Sequence, residues 1–235
     1  MKKLLAFDLD GTLTQHKTPI IDENREMLVK LSEKYKLIML GAGACERVYE
    51  QLRKLPIEIV GSYGMQQSRI IDGRFCLIRD EKYDVDRDFF EKSVALLRDK
   101  LGLNDYAGDS LEYHASGLVT FPVLGTKAPI EKKLAYDPDR SKRRAMLPLV
   151  KSVLSGYNVF IGGSSSFDIT RGEYNKFYAL GRYCKENGYS MDEVLMIGDD
   201  FGEGGNDSAV KNGGVDCVEI DDYRNFPLKT AFLLD

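Results

Sequence analysis

The stretch Lys3-Leu4-Leu5-Ala6-Phe7-Asp8-Leu9-Asp10-Gly11-Thr12-Leu13-Thr14 decides how the rest of the chain reads. Its apolar run is short and shows no polar alternation, which predicts a strand buried on both faces. The run stops at acidic residues and a Gly-Thr, so the strand delivers Asp8 and Asp10 into a loop. Downstream, Met27, Leu28, Leu31 and Tyr35 recur at helical spacing, which predicts a helix from Asp22 with Asp22 as its N-cap. Lys36 to Leu40 predicts a second strand, closed by Gly41-Ala42-Gly43. Val48, Leu52 and Leu55 predict a second helix, and Ile57 to Val60 a third strand. Strands alternating with helices in this way imply a parallel sheet with helices packed on it.

The rhythm changes after Gly64. Asp72-Gly73 between apolar runs signals a hairpin over Ser68 to Ile78. Phe90, Val94, Leu97 and Leu101 predict a helix face. Leu111 to Val123 predicts two strands broken around Ala115-Ser116-Gly117. Ser141 to Leu154 predicts a helix that Pro148 should kink or split. Strands are expected at Tyr157 to Ile161 and Ser166 to Thr170. From Asn175 the alternation returns, with a helix to about Asn187, a strand over Glu193 to Ile197, a short helix near Asn206, and a last strand over Asp216 to Ile220. The expected fold is α/β: a Rossmann-like core from residues 1–65 and 171–235, with an inserted α+β cap over residues 66–170.

Composition bounds the function. Hydrophobic residues are 43% and charged residues 30%, enough apolar content for a sizeable core in 235 residues. A net charge of -4 argues against a nucleic-acid partner, which calls for a basic excess. No apolar run approaches membrane-spanning length, and Asp8 and Asp10 interrupt the N-terminal run too early for a signal peptide. Cys45, Cys76, Cys184 and Cys217 have no C-x-x-C spacing, so they are expected as reduced thiols in a cytoplasmic protein rather than a zinc site. His16 is expected mainly as an exposed loop residue and His114 as a packed or hydrogen-bonded one. The basic run Arg140, Lys142, Arg143, Arg144 reads as a solvated helix face.

Ligands of open α/β sheets bind beyond the carboxyl ends of strands. Two acidic clusters fall there: Asp8-Leu9-Asp10-Gly11-Thr12, and Gly198-Asp199-Asp200 with Gly204-Gly205-Asn206-Asp207. Converging carboxylates repel one another unless a cation sits between them. Magnesium suits such a site, since it prefers hard oxygen ligands and bridges carboxylates to phosphate.

These motifs, with Lys176 opening a helix, resemble those of the haloacid-dehalogenase superfamily. That resemblance implies Asp8 as nucleophile and Asp10 as general acid/base. It implies Mg²⁺ held by Asp8, the Asp10 carbonyl and Asp199, with Asp207 or Asp200 as the additional acidic group. Lys176 would neutralise the nucleophile and the incoming phosphoryl group. Leu40-Gly41-Ala42-Gly43 with Glu46-Arg47-Val48 and Glu50-Gln51-Leu52, and Gly162-Gly163 with Ser166-Phe167-Asp168-Ile169, resemble the eukaryotic-type phosphomannomutase branch. By that likeness Thr12, Gly41, Ala42 and Gly43 face the phosphate, Ser166 and Asp168 contact a sugar, Lys17 replaces a substrate-contacting arginine, and the chain pairs as a homodimer through its cap.

Departures from the branch bear on function. Gly43 stands where a hydroxyl residue usually faces the phosphate, leaving backbone amides. Ala115 and Thr126 stand where two cap arginines would grip a distal phosphate, and Lys132 or Lys133 stands in for a third. A fork of arginine donors is not reproduced by alanine or threonine. The expectation is therefore a phosphatase of a sugar phosphate or similar small metabolite, with a hexose phosphomutase as the alternative and a silent sugar-phosphate binder behind both.

Overall fold

The computed structural model describes all 235 residues. In chain order it begins with β1 (Leu4–Phe7), α1 (Asp22–Ser32), β2 (Lys36–Leu40), α2 (Cys45–Gln51), β3 (Glu58–Gly61), β4 (Gln66–Ile71) and β5 (Arg74–Asp80). Then follow α3 (Arg87–Leu101), β6 (Glu112–Tyr113), β7 (Val119–Pro122), α4 (Ile130–Tyr136), α5 (Ser141–Val153), β8 (Tyr157–Gly162) and β9 (Ser166–Arg171). The chain ends with α6 (Lys176–Asn187), β10 (Val194–Gly198), α7 (Ser208–Asn212), β11 (Asp216–Glu219) and α8 (Phe226–Thr230). Two compact units result: Met1–Glu81 with Asn175–Gly202 and Asp207–Asp235, and Lys82–Tyr174 with Glu203–Asn206.

The first unit is a seven-stranded sheet in the order β11-β10-β1-β2-β3-β4-β5. β11 to β3 are parallel, and the β4–β5 hairpin joins antiparallel. β1 is buried throughout because it feeds both faces. Leu5 and Phe7 pack with Leu28, Val48 and Phe226, while Leu4 and Ala6 pack with Ala179, Leu180 and Val210. That two-sided burial is what the continuous apolar run required.

The hairpin belongs to this unit rather than to the inserted one, so the expected boundary at residue 66 moves to Glu81. Ser62, Tyr63 and Gly64 all take positive φ (48°, 55° and 100°), which reverses the chain onto β3 and pairs Ile59 with Ser68. Ser and Tyr give no sequence signal for that conformation. The hairpin turn itself was legible: Asp72 and Gly73 both have positive φ. Asp22 opens α1 as its first helical residue, with Ile21 at the cap position.

The second unit is a four-stranded antiparallel sheet, β6-β7-β9-β8. Phe90, Val94 and Leu97 of α3 and Leu147 and Val150 of α5 pack on Val119, Phe121, Val159, Ile161, Phe167 and Ile169. α5 runs unbroken across Pro148. That proline is on the exposed side, where the carbonyl it cannot serve can reach water. Arg143 departs from the solvated-face expectation. It is 1% exposed and pairs with Asp137 at 2.8 Å. The four cysteines are free thiols, and no helix is long and apolar enough to cross a membrane.

Candidate active site

Strand register brings the acidic motifs together. Phe7 is level with Ile197 of β10 and with Met39 of β2. The loops that follow therefore leave the same edge of the sheet side by side: Asp8 in the centre, Asp199 on one flank, Gly41 to Gly43 on the other. The Asp8 amide still donates to the Ile197 carbonyl (2.9 Å), which fixes where its side chain begins.

Lys176 reaches this point from the first turn of α6, whose N-cap Asn175 accepts from the Tyr178 amide at 2.9 Å. Its side chain is fully buried, and Nζ lies 2.6 Å from Asp8 Oδ1 and 2.6 Å from Asp207 Oδ1. Burial works against the ammonium, but Asp207 and Asp8 outweigh it and hold Lys176 above its ordinary pKa. Asp207 is itself oriented: its Oδ2 accepts from the amides of Asp199 (3.3 Å) and Asp200 (3.2 Å). Gly198 permits this, since a Cβ there would come within 2.5 Å of Asp207 Oδ2.

Asp8, Asp199 and Asp207 each present a carboxylate oxygen within 4.8 Å of the others. Asp207, not Asp200, is the additional acid of that group. Three carboxylates gather at one ammonium in a largely buried place. Burial is the main reason that the Asp8 carboxyl is pushed above its ordinary pKa; Lys176 pulls it down, and Asp207 and Asp10 push it up again. An all-oxygen donor set with that charge fits a divalent cation such as Mg²⁺. Gly11 shapes the same cradle. Its φ is +103°, and a Cβ would lie 2.7 Å from Asp199 Cγ.

The Asp10 carboxylate is not in the acidic group. It accepts from Arg47 Nη1 (3.1 Å), Gln51 Nε2 (3.1 Å) and the Lys17 amide (2.8 Å), with His16 Nδ1 at 3.8 Å. Burial works to raise its pKa, but Arg47, His16, the Lys17 amide and Gln51 more than reverse that. The resting chain thus holds Asp10 ionised, as a proton acceptor. Sequence reasoning assigned Arg47 and Gln51 no role. Their i, i+4 spacing places them on one helix face, a signal that was present but points nowhere until the loop before Asp10's neighbours is folded.

Other expected residues are placed as follows. Thr12 gives its hydroxyl to Asp199 Oδ1 (3.2 Å), so it braces the acidic group. Lys17 is exposed and contributes its amide rather than its ammonium to Asp10. Gly41 lies close to Asp8, but its own amide is taken by the Val60 carbonyl (3.1 Å), leaving the Ala42 and Gly43 amides without backbone partners. Ser166 and Asp168 belong to the second unit, on β9. Ser166 Oγ donates to the Gly162 carbonyl (2.9 Å). Asp168 is 7% exposed and accepts from Thr120 Oγ1 (3.1 Å), whose oxygen is 3.0 Å from His114 Nε2.

No family model matches the chain. It is 25% identical over 220 residues to phosphomannomutase of Saccharomyces cerevisiae, covering 87% of this chain and 83% of the yeast one. It is 26% identical over 219 residues to phosphomannomutase of Triticum aestivum, covering 88% and 85%. Among solved structures, IMP-bound IMP-nucleotidase of Plasmodium falciparum aligns with a TM-score of 0.76 at 15% identity, over 99% of this chain and 68% of that one. A haloalkanoate-superfamily phosphatase of Bacteroides thetaiotaomicron aligns with a TM-score of 0.58 at 17% identity, over 99% and 94%. The solved structures speak for the fold, and the curated relatives for the branch. A parallel sheet carrying Asp8 at its central strand end, a buried lysine between two aspartates, and likeness over most of the chain together mark this protein as a phosphoryl-transfer enzyme similar to the phosphomannomutases.

Proposed function

We propose that the chain is a cytoplasmic, magnesium-dependent phosphatase that hydrolyses a sugar phosphate or similar small metabolite through a phosphorylated Asp8. The observation that carries this reading is Lys176, buried and 2.6 Å from both Asp8 and Asp207. An ammonium there offsets charge on the attacking carboxylate and on the phosphoryl oxygens as they approach. Mg²⁺ bound by Asp8, Asp199 and Asp207 would supply the remaining charge compensation.

In the first step an Asp8 carboxylate oxygen bonds to phosphorus and the ester P–O bond breaks. The leaving oxygen takes a proton from Asp10, which, being ionised at rest, must first gain that proton from solvent. In the second step water attacks phosphorus, gives a proton to Asp10, and the Asp8–phosphorus bond breaks to free inorganic phosphate. Splitting the displacement in two lowers each barrier. Asp10 lies two residues from Asp8, and its ionised resting form suits the second step.

Hydrolysis is favoured over isomerisation by the engagement of Arg98, Arg143 and Lys133 in the second unit. A mutase must grip a bisphosphorylated intermediate while it turns. Arg98 is 4% exposed and donates to the carbonyls of Leu103, Pro122 and Val123. Arg143 is committed to Asp137 and to the carbonyls of Gly162, Gly163 and Ser166. Thr126 bonds to Asp109, and Lys133 gives its ammonium to the Thr126 carbonyl (2.9 Å). The second reading, a hexose phosphomutase, has the likeness to phosphomannomutases in its favour. Incubation with a panel of phosphate esters, mannose 1-phosphate among them, with and without a hexose bisphosphate, separates the two. Hydrolysis releases one inorganic phosphate per ester consumed, independent of bisphosphate, and is lost in Asp8→Asn. Net isomer without free phosphate would replace the phosphatase by the mutase.

A further inference from the structure

The loop Gly41-Ala42-Gly43-Ala44 runs beside the nucleophile, since a Cβ on Gly41 would lie 3.7 Å from Asp8 Oδ1. None of its four residues carries a polar side chain. Gly43 is not in the left-handed region, so conformational freedom is not what requires glycine there. A side chain there would meet Arg47 instead. A Cβ on Gly43 would stand 2.8 Å from Arg47 Cζ and closer still to Nη2. The Arg47 guanidinium occupies the volume that a side chain at position 43 would fill.

That guanidinium is fixed rather than loose. Nη1 donates to Asp10 Oδ2 (3.1 Å) and to Gln51 Oε1. Gln51 is in turn anchored through Nε2 to Asp10 Oδ1 and the Thr18 carbonyl, both at 3.1 Å. Nη2 and Nε of Arg47 make no hydrogen bond, and 38% of the side chain is open to solvent. An arginine locked by one nitrogen onto the acid/base, with its other donors unspent over a polar-side-chain-free loop, is arranged to receive an anion.

We propose that Arg47 binds the transferring phosphoryl group, its Nη2 and Nε donors meeting phosphoryl oxygens. In the same proposal, position 43 is glycine because any side chain would displace that guanidinium. This rests on the phosphoryl-transfer reading of the Asp8 site. Arg47 then supplies from α2 the side-chain donor that the loop lacks.

The test is a double-mutant cycle on the full chain with Mg²⁺, reading ester turnover and, separately, calorimetric binding of inorganic phosphate. Arg47→Ala should lower kcat/KM about 100-fold, as removal of one preorganised donor does, and weaken phosphate binding about tenfold. Its melting temperature should stay near that of the unaltered chain. Arg47→Lys should recover only part, because an ammonium lacks the fork, and added free guanidinium should partly rescue Arg47→Ala. Gly43→Ala should cost a similar factor alone but less than about twofold on top of Arg47→Ala, since coupled neighbours are not additive. Unchanged phosphate affinity in Arg47→Ala, or losses that multiply in the double variant, would overturn the proposal. If the unaltered chain hydrolyses no ester, the phosphatase reading alone is lost, because the phosphate titration still decides the role of Arg47.

Discussion

Asp8→Asn should make the metal-free protein more stable while abolishing its activity. At an effective dielectric constant of about 20, two unit charges no more than 4.8 Å apart repel by at least about 3.5 kcal/mol. Asp8 meets two such neighbours, Asp199 and Asp207. Its attraction to Lys176 at 2.6 Å is worth about 6 kcal/mol on the same scale. On this scale the repulsions offset the attraction, and burial, the main cause, leaves the pKa of Asp8 raised. An asparagine keeps an acceptor for Lys176 and removes the charge. Relief of a buried, poorly compensated charge is worth roughly 1–2 kcal/mol, or a rise in Tm of about 2–8 °C for a chain of this size. Lys176→Met has the opposite sign. It strands Asp8 and Asp207 and should cost roughly 3–5 kcal/mol, or about 6–20 °C. The assay is thermal unfolding in a chelator. If Asp8→Asn lowers Tm as Lys176→Met does, the charge imbalance is not a property of this site.

Further outcomes follow from the same contacts. Adding MgCl₂ should raise the Tm of the unaltered chain, by about 2.7 kcal/mol of stability at one hundred times Kd, and much less in Asp199→Asn; equal shifts would remove Asp199 from the metal site. Gly11→Ala should lose magnesium-dependent stabilisation and activity together, because its φ of +103° and the Asp199 side chain both oppose a Cβ. In the second unit, burial works to raise the Asp137 pKa, but its hydrogen bonds with Arg143 and the Lys142 amide, with the Arg143 charge, bring it below the ordinary value. Stability from that pair is therefore present above about pH 4 and lost as pH falls through the depressed folded value. Arg143→Ala should cost about 3–5 kcal/mol at neutral pH and flatten this acid limb in melts run from pH 2 to 7.

How far the sequence carries depends on whether a feature is local. β1 was legible because four apolar residues followed by Asp8 can only be a strand with both faces covered and its end exposed to a loop. Lys176 was legible through its spacing from the Ser-Phe-Asp segment, and Asp199 and Asp207 through their glycines. The ownership of the β4–β5 hairpin was not, because it depends on Ser62 and Tyr63 adopting positive φ, which neither residue advertises. Thr12 bracing Asp199 spans 187 residues of sequence, and Arg47 holding Asp10 spans 37. Such pairings exist only once the sheet has set its strand order. Arg143 in a basic run looked solvated, yet its guanidinium is buried because the Gly162–Gly163 turn offers carbonyls and Asp137 a carboxylate.

Capture of the covalent species bears most directly on Asp8 as nucleophile. Brief reaction of the full chain with a turned-over phosphate ester and Mg²⁺, acid quench and peptide mass spectrometry should place a phosphoryl group on Asp8. The adduct should be discharged by hydroxylamine, as an acyl phosphate is, and be absent from Asp8→Asn. Ester turnover that persists in Asp8→Asn, or a phosphoryl group found on another residue, would rule out an Asp8 nucleophile.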